Sequence, residues 1–480
     1  MNTRCKNILK ACCFLLLLFG ILSFFSRKMN YVDTGGGGGF ERLERLPSNS
    51  ADVIFFGSSH AHCTVDLGLL WDRYGIAGYT FSAGAQPMNA TKDFVRYALS
   101  EQHPEVICVE LFGIMRDGIS LETVDVYRNL LGMRWSPAYV KTAVEMANQM
   151  DVSFDERFEM ITKIPLIHDR YTELFEKKEN LYPFLMGYRG SDEIAPLERP
   201  NVEEWNSENP VPTDILHEID EIVEIAEKKG AKVLFWAAPY CLSQEEKERL
   251  NSFKTYAAEH ELAYVDFNEM YDALGLDFST DFRDKDHLNF DGSEKVTLEL
   301  GRCLADEYNL VPHDDKEDYV LWDENSRYVA DRKLQRDLKG CGTFDDYLKK
   351  LSEEGNHLLV GISLYGNYLA LPDIYAEEAS RMGISFEDYQ NGGAFLLNEN
   401  MVTEHLEADY QKKIETLYGD ICLESSKPMF LIDGTEYSFP ENSVGVFVYD
   451  LELGYLVDVA YLDIYYVGNQ ILHCEMETED

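Results

Sequence analysis

Short apolar runs alternate with amphipathic stretches from Asp52 to about Leu310, and this rhythm constrains the fold more than any other feature of the chain. Asp52-Val53-Ile54-Phe55-Phe56-Gly57 opens the series. A strand with one wet face alternates apolar and polar residues, whereas a run with no polar position must be covered on both faces. Residues 79–81, 106–111, 232–237 and 263–267 read as further strands. Residues 90–101 read as a helix between the second and third. Thr213 reads as the cap of another helix, in which Leu216, Ile219, Ile222, Val223 and Ala226 keep helical spacing and Gly230 ends the run. Ser243 and Glu246 form a capping-box pair, and Ser293 opens a last helix. Strands alternating with helices imply an α/β fold, a doubly wound parallel sheet with helices on both faces.

A chain of 480 residues exceeds one average domain. The rhythm assigns 51–312 to the α/β domain. A stretch at 113–212, rich in Met, Tyr, Arg and charged helical patches, reads as a helical insertion above the sheet. Past Asp314-Asp315-Lys316-Glu317-Asp318 the pattern changes to strand-like runs at 358–364, 394–397, 429–432, 444–449 and 455–459. Asp433-Gly434 suits a two-residue hairpin turn. Residues 377–382 and 404–417 read as helical. Residues 313–480 are therefore expected to form a smaller, mixed, β-rich α+β domain.

The charge balance excludes one class of partner. Lys and Arg number 43 and Asp and Glu 86, leaving a net charge of −43. Such a surface repels phosphate backbones, so no nucleic-acid partner is expected. At the N-terminus, Arg4, Lys6 and Lys10 precede an apolar run at 11–25, and Arg27-Lys28 follow it. Ser23-Phe24-Phe25-Ser26 offers no small-x-small cleavage site. Residues 1–29 therefore read as an uncleaved, single-pass transmembrane anchor, with the rest of the chain outside the cytoplasm. A cleaved signal peptide is the other reading of the same run. Thr34 to Gly39 is glycine-rich, and 30–50 reads as a tether. The ten cysteines contain no CxxC pair, so neither a structural zinc nor a cofactor is expected.

Two distant segments carry the chemistry. Gly57-Ser58-Ser59-His60 lies at the carboxyl end of the first strand, where open parallel sheets bind ligands. A serine there needs a base to take its proton, and imidazole titrates in the right range. Asp284-Lys285-Asp286-His287 offers that base and a carboxylate to orient it. Asp284 suits the orienting role, with Asp281 and Asp286 as rivals. His60 and His62 flank the serine. They read as polar residues of the turn, or with Asp66 as a weak metal set. His168 and Arg170 in the insertion are candidates to hold an anionic or sugar group.

From Asp52 to about Leu310 the chain resembles the SGNH (GDSL-like) hydrolases. Gly57-Ser58-Ser59 stands where that family has Gly-Asp-Ser, and Asp284-Lys285-Asp286-His287 matches its terminal Asp-x-x-His. Asn289-Phe290-Asp291-Gly292 resembles the segment that leads into the family's last helix. The resemblance implies a flavodoxin-like sheet, Ser59 as nucleophile, His287 as base and Asp284 as orienter. It also implies the amides of Ser59 and Gly84 as oxyanion donors. One block departs from the pattern. The family carries an asparagine donor after its third strand, whereas Val109-Glu110-Leu111-Phe112-Gly113 has none. A carboxylate cannot donate unless protonated, and Gln86 is the candidate replacement. The departure is similar to the branch containing alginate O-acetyltransferases and teichoic-acid D-alanyl-transfer proteins, which are membrane-anchored and extracytoplasmic. That implies a serine esterase or O-acyltransferase acting on a cell-surface polysaccharide or wall polymer through an acyl-Ser59 intermediate. Transfer would need a multi-span membrane partner to supply the acyl group. The alternative is a non-catalytic glycan-binding or scaffold protein with a decayed site. In the C-terminal domain, Val444 to Asp458 resembles the interleukin-like EMT inducer domain, which implies a glycan-binding or interaction module.

Overall fold

The computed structural model describes residues 3–29, 39–115, 130, 132–150, 152–163, 165, 186–313, 317–365, 376–384, 393–463 and 470–476. The chain divides into two compact units, Met1–Ser326 and Arg327–Asp480.

In the first unit, five strands form a parallel sheet: β1 (Val53–Gly57), β2 (Gly78–Ser82), β3 (Val106–Glu110), β4 (Lys232–Ala237) and β5 (Ala263–Asp266). Their order is β2-β1-β3-β4-β5. Every residue of β1, β2 and β3 is buried, which explains why these strands lack a polar face. Helices Met88–Glu101 and Thr213–Lys229 pack together, and Phe290–Asp306 packs on Ser59–Thr64 and Leu67–Tyr74. The chain reverses direction across the sheet between β1 and β3, so the crevice beyond their carboxyl ends is the natural ligand position.

Several helix starts differ from the sequence reading. Pro212 occupies the cap position of Thr213–Lys229 without a side-chain bond, so Thr213 is the first helical residue instead. Gly230 ends that helix at φ +81°, a conformation that suits glycine. Ser243 and Glu246 make both bonds of the capping box. The helix expected to open at Ser293 begins at Phe290 under an Asn289 cap, and Ser293 lies inside its first turn. Within 113–212, helices Pro137–Gln149 and Phe154–Thr162 are present. Residues 186–212 are non-helical apart from a short 3-10 turn at Val202–Glu204. Residues 40–45, assigned from sequence to the tether, form a helix that buries Phe40 and Leu43.

The N-terminal helix runs Thr3–Lys28. Its Cys5–Phe25 segment covers 21 residues at mean hydropathy 2.5, none of it buried. At 1.5 Å per residue it reaches about 31 Å, enough to cross a bilayer core, although a signal sequence has the same character.

In the second unit, a six-stranded antiparallel sheet has the order β15-β14-β13-β6-β7-β8. Its strands are β6 (Leu359–Leu364), β7 (Gly393–Asn398), β8 (Met401–Leu406), β13 (Ser443–Asp450), β14 (Tyr455–Asp463) and β15 (Ile471–His473). A four-stranded meander holds β9 (Gln411–Glu415), β10 (Asp420–Glu424), β11 (Met429–Ile432) and β12 (Thr435–Ser438). Alternation along β13 serves two cores. Val444, Val446 and Val448 join the cluster built with Phe344, Leu348 and Leu351 of helix Phe344–Glu354. Phe447 and Tyr449 point the other way, into the cluster with Ile421, Phe430 and Ile432. Asp433 (φ +49°) and Gly434 (φ +88°) form the two-residue turn between β11 and β12. The helix expected over 404–417 is instead the end of β8, a turn and β9. Leu406, Tyr410, Ile414 and Leu417 fall at helical spacing, but pairing of β9 with β10 and of β8 with β7 overrides it.

Candidate active site

The Gly57-Ser58-Ser59 turn is set by a glycine and a cap. Gly57 holds φ +140°, a conformation side chains rarely adopt. Ser58 caps helix Ser59–Thr64, its hydroxyl accepting the His60 amide at 3.2 Å. Ser59 thereby becomes the first residue of a helix leaving the carboxyl end of β1. Helix Ser59–Thr64 is anchored at its far end by His62, whose Nδ1 lies 2.8 Å from Ser82 Oγ. The Arg189 amide donates to the His62 carbonyl at 2.7 Å.

The Asp284–His287 segment is held in a tight loop. Phe282 and Leu288 bridge across its base, and the Arg283 amide donates to the His287 carbonyl at 3.1 Å. Asp284 Oδ1 accepts the amides of Asp286 (2.8 Å) and His287 (2.9 Å), which winds the loop around the carboxylate. The Cys241 amide, following β4, donates to the Lys285 carbonyl at 2.9 Å and ties the loop to the sheet. Asn289 then caps the next helix, Phe290–Asp306.

These two segments, 228 positions apart, meet. His287 Nε2 lies 2.8 Å from Ser59 Oγ. His287 Nδ1 lies 2.9 and 3.0 Å from the two Asp284 oxygens. A carboxylate can only accept, so Nδ1 carries the proton and donates it in the hydrogen bond to Asp284, which leaves Nε2 as the acceptor facing the serine. Burial pushes the Asp284 carboxyl up. The His287 bond, the Asp286 amide and the charges of His287 and Arg283 outweigh this and hold it below its usual range. The rival carboxylates are engaged elsewhere. Asp281 pairs with Lys295 at 2.6 Å, and the Asp286 carboxylate lies 3.9 Å from Lys285 Nζ.

His60 is buried, its ring stacked on Phe112 (4.5 Å) and edge-on to Tyr240 (4.7 Å) and His287 (5.5 Å). Burial pushes it down to about 3, helped by the neighbouring His287. It is therefore a neutral wall of the site. Asp66 caps helix Leu67–Tyr74 through the Leu69 amide and does not join His60 and His62. Among the described residues, the group spaced to hold a metal is Asp331, His357 and Asp450, in the second unit. Its Asp450 already pairs with the Arg327 guanidinium.

Gly84 lies in the turn after β2, where the Gln86 amide donates to the Ala83 carbonyl at 3.2 Å. Gln86 is buried and its Oε1 accepts the Thr91 hydroxyl at 3.0 Å. His168 and Arg170 lie outside the described residues. Glu110, which the sequence presented only as a missing donor, is buried at the end of β3 and bonded to the serine turn. Its Oε2 accepts the Ser58 amide (3.2 Å) and hydroxyl (2.8 Å), and its Oε1 accepts the Phe112 amide (2.7 Å). No spacing rule points to this contact. The only sequence signal is a carboxylate closing an otherwise apolar strand.

No protein-family model matches the chain, and no curated protein matches it either. Solved structures do match. One is a provisionally assigned acylhydrolase from Bacteroides fragilis, 13% identical, aligned over 56% of this chain and 94% of its own with a TM-score of 0.28. A likeness that low carries no weight for fold or chemistry here.

Proposed function

We propose that this protein is a serine hydrolase or acyltransferase of the SGNH type. We read it as anchored by its N-terminal helix and acting outside the cytoplasm on esters of a surface glycan or wall polymer. The observation that supports this reading is the relay from Ser59 Oγ through His287 to Asp284, at 2.8 and 2.9 Å. Ser59 Oγ attacks the ester carbonyl carbon while its proton passes to His287 Nε2. Asp284 holds the ring and offsets the charge it gains. The amides of Ser59 and Gly84 are assigned to the oxyanion, with the Gln86 side-chain amide as a further candidate donor. Collapse of the tetrahedral intermediate breaks the ester bond, and His287 Nε2–H protonates the departing alkoxide. The acyl-Ser59 ester then meets water or a glycan hydroxyl, whose proton returns through Nε2 as its oxygen attacks. Esterase and transferase differ only in that acceptor.

A fluorophosphonate probe applied to the full chain in detergent tests the reading. The expected result is a covalent adduct on the Ser59 peptide, lost in Ser59→Ala and in His287→Ala. A folded wild type that never reacts would sink the hydrolase and leave a tethered binding protein.

A further inference from the structure

The relay does not use Glu110, yet Glu110 touches the peptide that carries the nucleophile. Its carboxyl closes β3, which pairs directly with β1. Three donors converge on it: the Ser58 amide, the Ser58 hydroxyl and the Phe112 amide. Ser58 Oγ in turn accepts the His60 amide and caps the helix that Ser59 begins. The packing is close enough to exclude a side chain at Gly57. A Cβ there would sit 2.6 Å from Glu110 Cβ and 2.9 Å from its Oε2. We propose that Glu110 is a positioning residue, whose carboxylate locks the Gly57–Ser58 turn and thereby aims Ser59 Oγ at His287 Nε2. The inference rests on the serine-hydrolase reading above.

A carboxylate is the one side chain of this shape that only accepts. Glutamine has the same outline but carries two donors, so either orientation turns its NH₂ toward an amide or hydroxyl that needs an acceptor. A buried donor left without a partner loses enough to shift a conformational balance by about tenfold to a hundredfold. Protonation of Glu110 has a milder effect of the same kind. Burial pushes this carboxyl up to about 7 against the opposing bonds from Ser58 and Phe112. The phenol of Tyr240, in the loop after β4, also interacts with Glu110, and burial keeps it protonated far above that range. His60, from the serine helix, is held neutral by burial, its value pushed down to about 3. Glu110 is therefore about half ionised near pH 7, so its hold on the turn strengthens as pH rises through that value and weakens as pH falls below it.

The test is the rate of Ser59 phosphonylation by a fluorophosphonate on the full chain between pH 5 and 9. The wild-type rate should rise with pH through the ionisation of Glu110. Glu110→Gln should slow it about tenfold to a hundredfold at pH 8 and remove the Glu110 step from the profile. Ser58→Ala keeps the carboxylate but removes the hydroxyl link and should slow labelling several-fold. Combined with Glu110→Gln it should lose less than the product of the two effects. Circular dichroism establishes that each variant is folded. If Glu110→Gln does not fold, Ser58→Ala decides alone, and an unchanged rate there overturns the inference. Wild-type rate and pH profile in a folded Glu110→Gln also overturn it. A wild type that never labels rejects the hydrolase reading instead.

Discussion

His287 has two ring nitrogens with different neighbours, and that asymmetry defines the site. Asp284 touches Nδ1 and Ser59 touches Nε2. The same Asp284 oxygen that faces the ring also holds the amides of Asp286 and His287. Asp284→Asn preserves an acceptor for those amides, so the loop should stay closed. It removes the negative charge that stabilises an imidazolium and permits the wrong tautomer. Turnover, or the rate of probe labelling, should fall by about 10³–10⁴ with little change in melting temperature. Equal labelling of Asp284→Asn and wild type would remove Asp284 from the mechanism. From sequence, Asp284 suited the orienting role, but Asp281 and Asp286 stood close enough to rival it. Only the loop's closure, through Phe282 and Leu288, turns one of them onto the ring.

At the scale of elements, the site depends on where helices begin. Helix Ser59–Thr64 starts where Gly57 and Ser58 let it, and helix Phe290–Asp306 starts under Asn289. Asn289 is buried and uses both ends of its side chain. Its Oδ1 accepts the amides of Asp291 and Gly292, and its Nδ2 donates to the Thr280 carbonyl at 2.6 Å and that of Glu193 at 3.2 Å. It thus joins the cap of helix Phe290–Asp306 to the loop carrying His287. Asn289→Ala should cost about 1–3 kcal/mol in urea unfolding, combining a lost cap with unpaired buried groups. It should also slow probe labelling, because the His287 loop loses an anchor. A variant as stable as wild type would show that the cap does not bear on the fold. Capping at Ser243 and the glycine stop at Gly230 were legible in sequence because they need only nearby residues. The β8–β9 region was not, because its apolar spacing fits a helix and its partners lie elsewhere in the chain.

Across the whole molecule, an acidic chain with net charge −43 begins with an unburied 21-residue apolar segment. Electrostatics would push such a chain away from an anionic surface, so the proposed membrane attachment would rest on the apolar helix. The full chain should remain in the membrane pellet after alkaline carbonate extraction, and removal of residues 1–29 should release it to the supernatant. Recovery of a protein beginning after residue 29 would instead identify a cleaved signal sequence.

Sequence alone determined the parallel sheet, because strands buried on both faces must be apolar throughout, and it marked the Asp284–His287 turn, because that motif is local. It also marked Ser59 as a residue at a strand's end. The tertiary structure decided that this serine and this imidazole, 228 positions apart, lie 2.8 Å from each other. It also decided that Glu110, apparently a lost donor, holds the serine's turn. Local pattern records what a residue must be buried in or capped by. Which distant side chain it meets follows from strand order and crossover, and a single sequence carries no periodic signal of that.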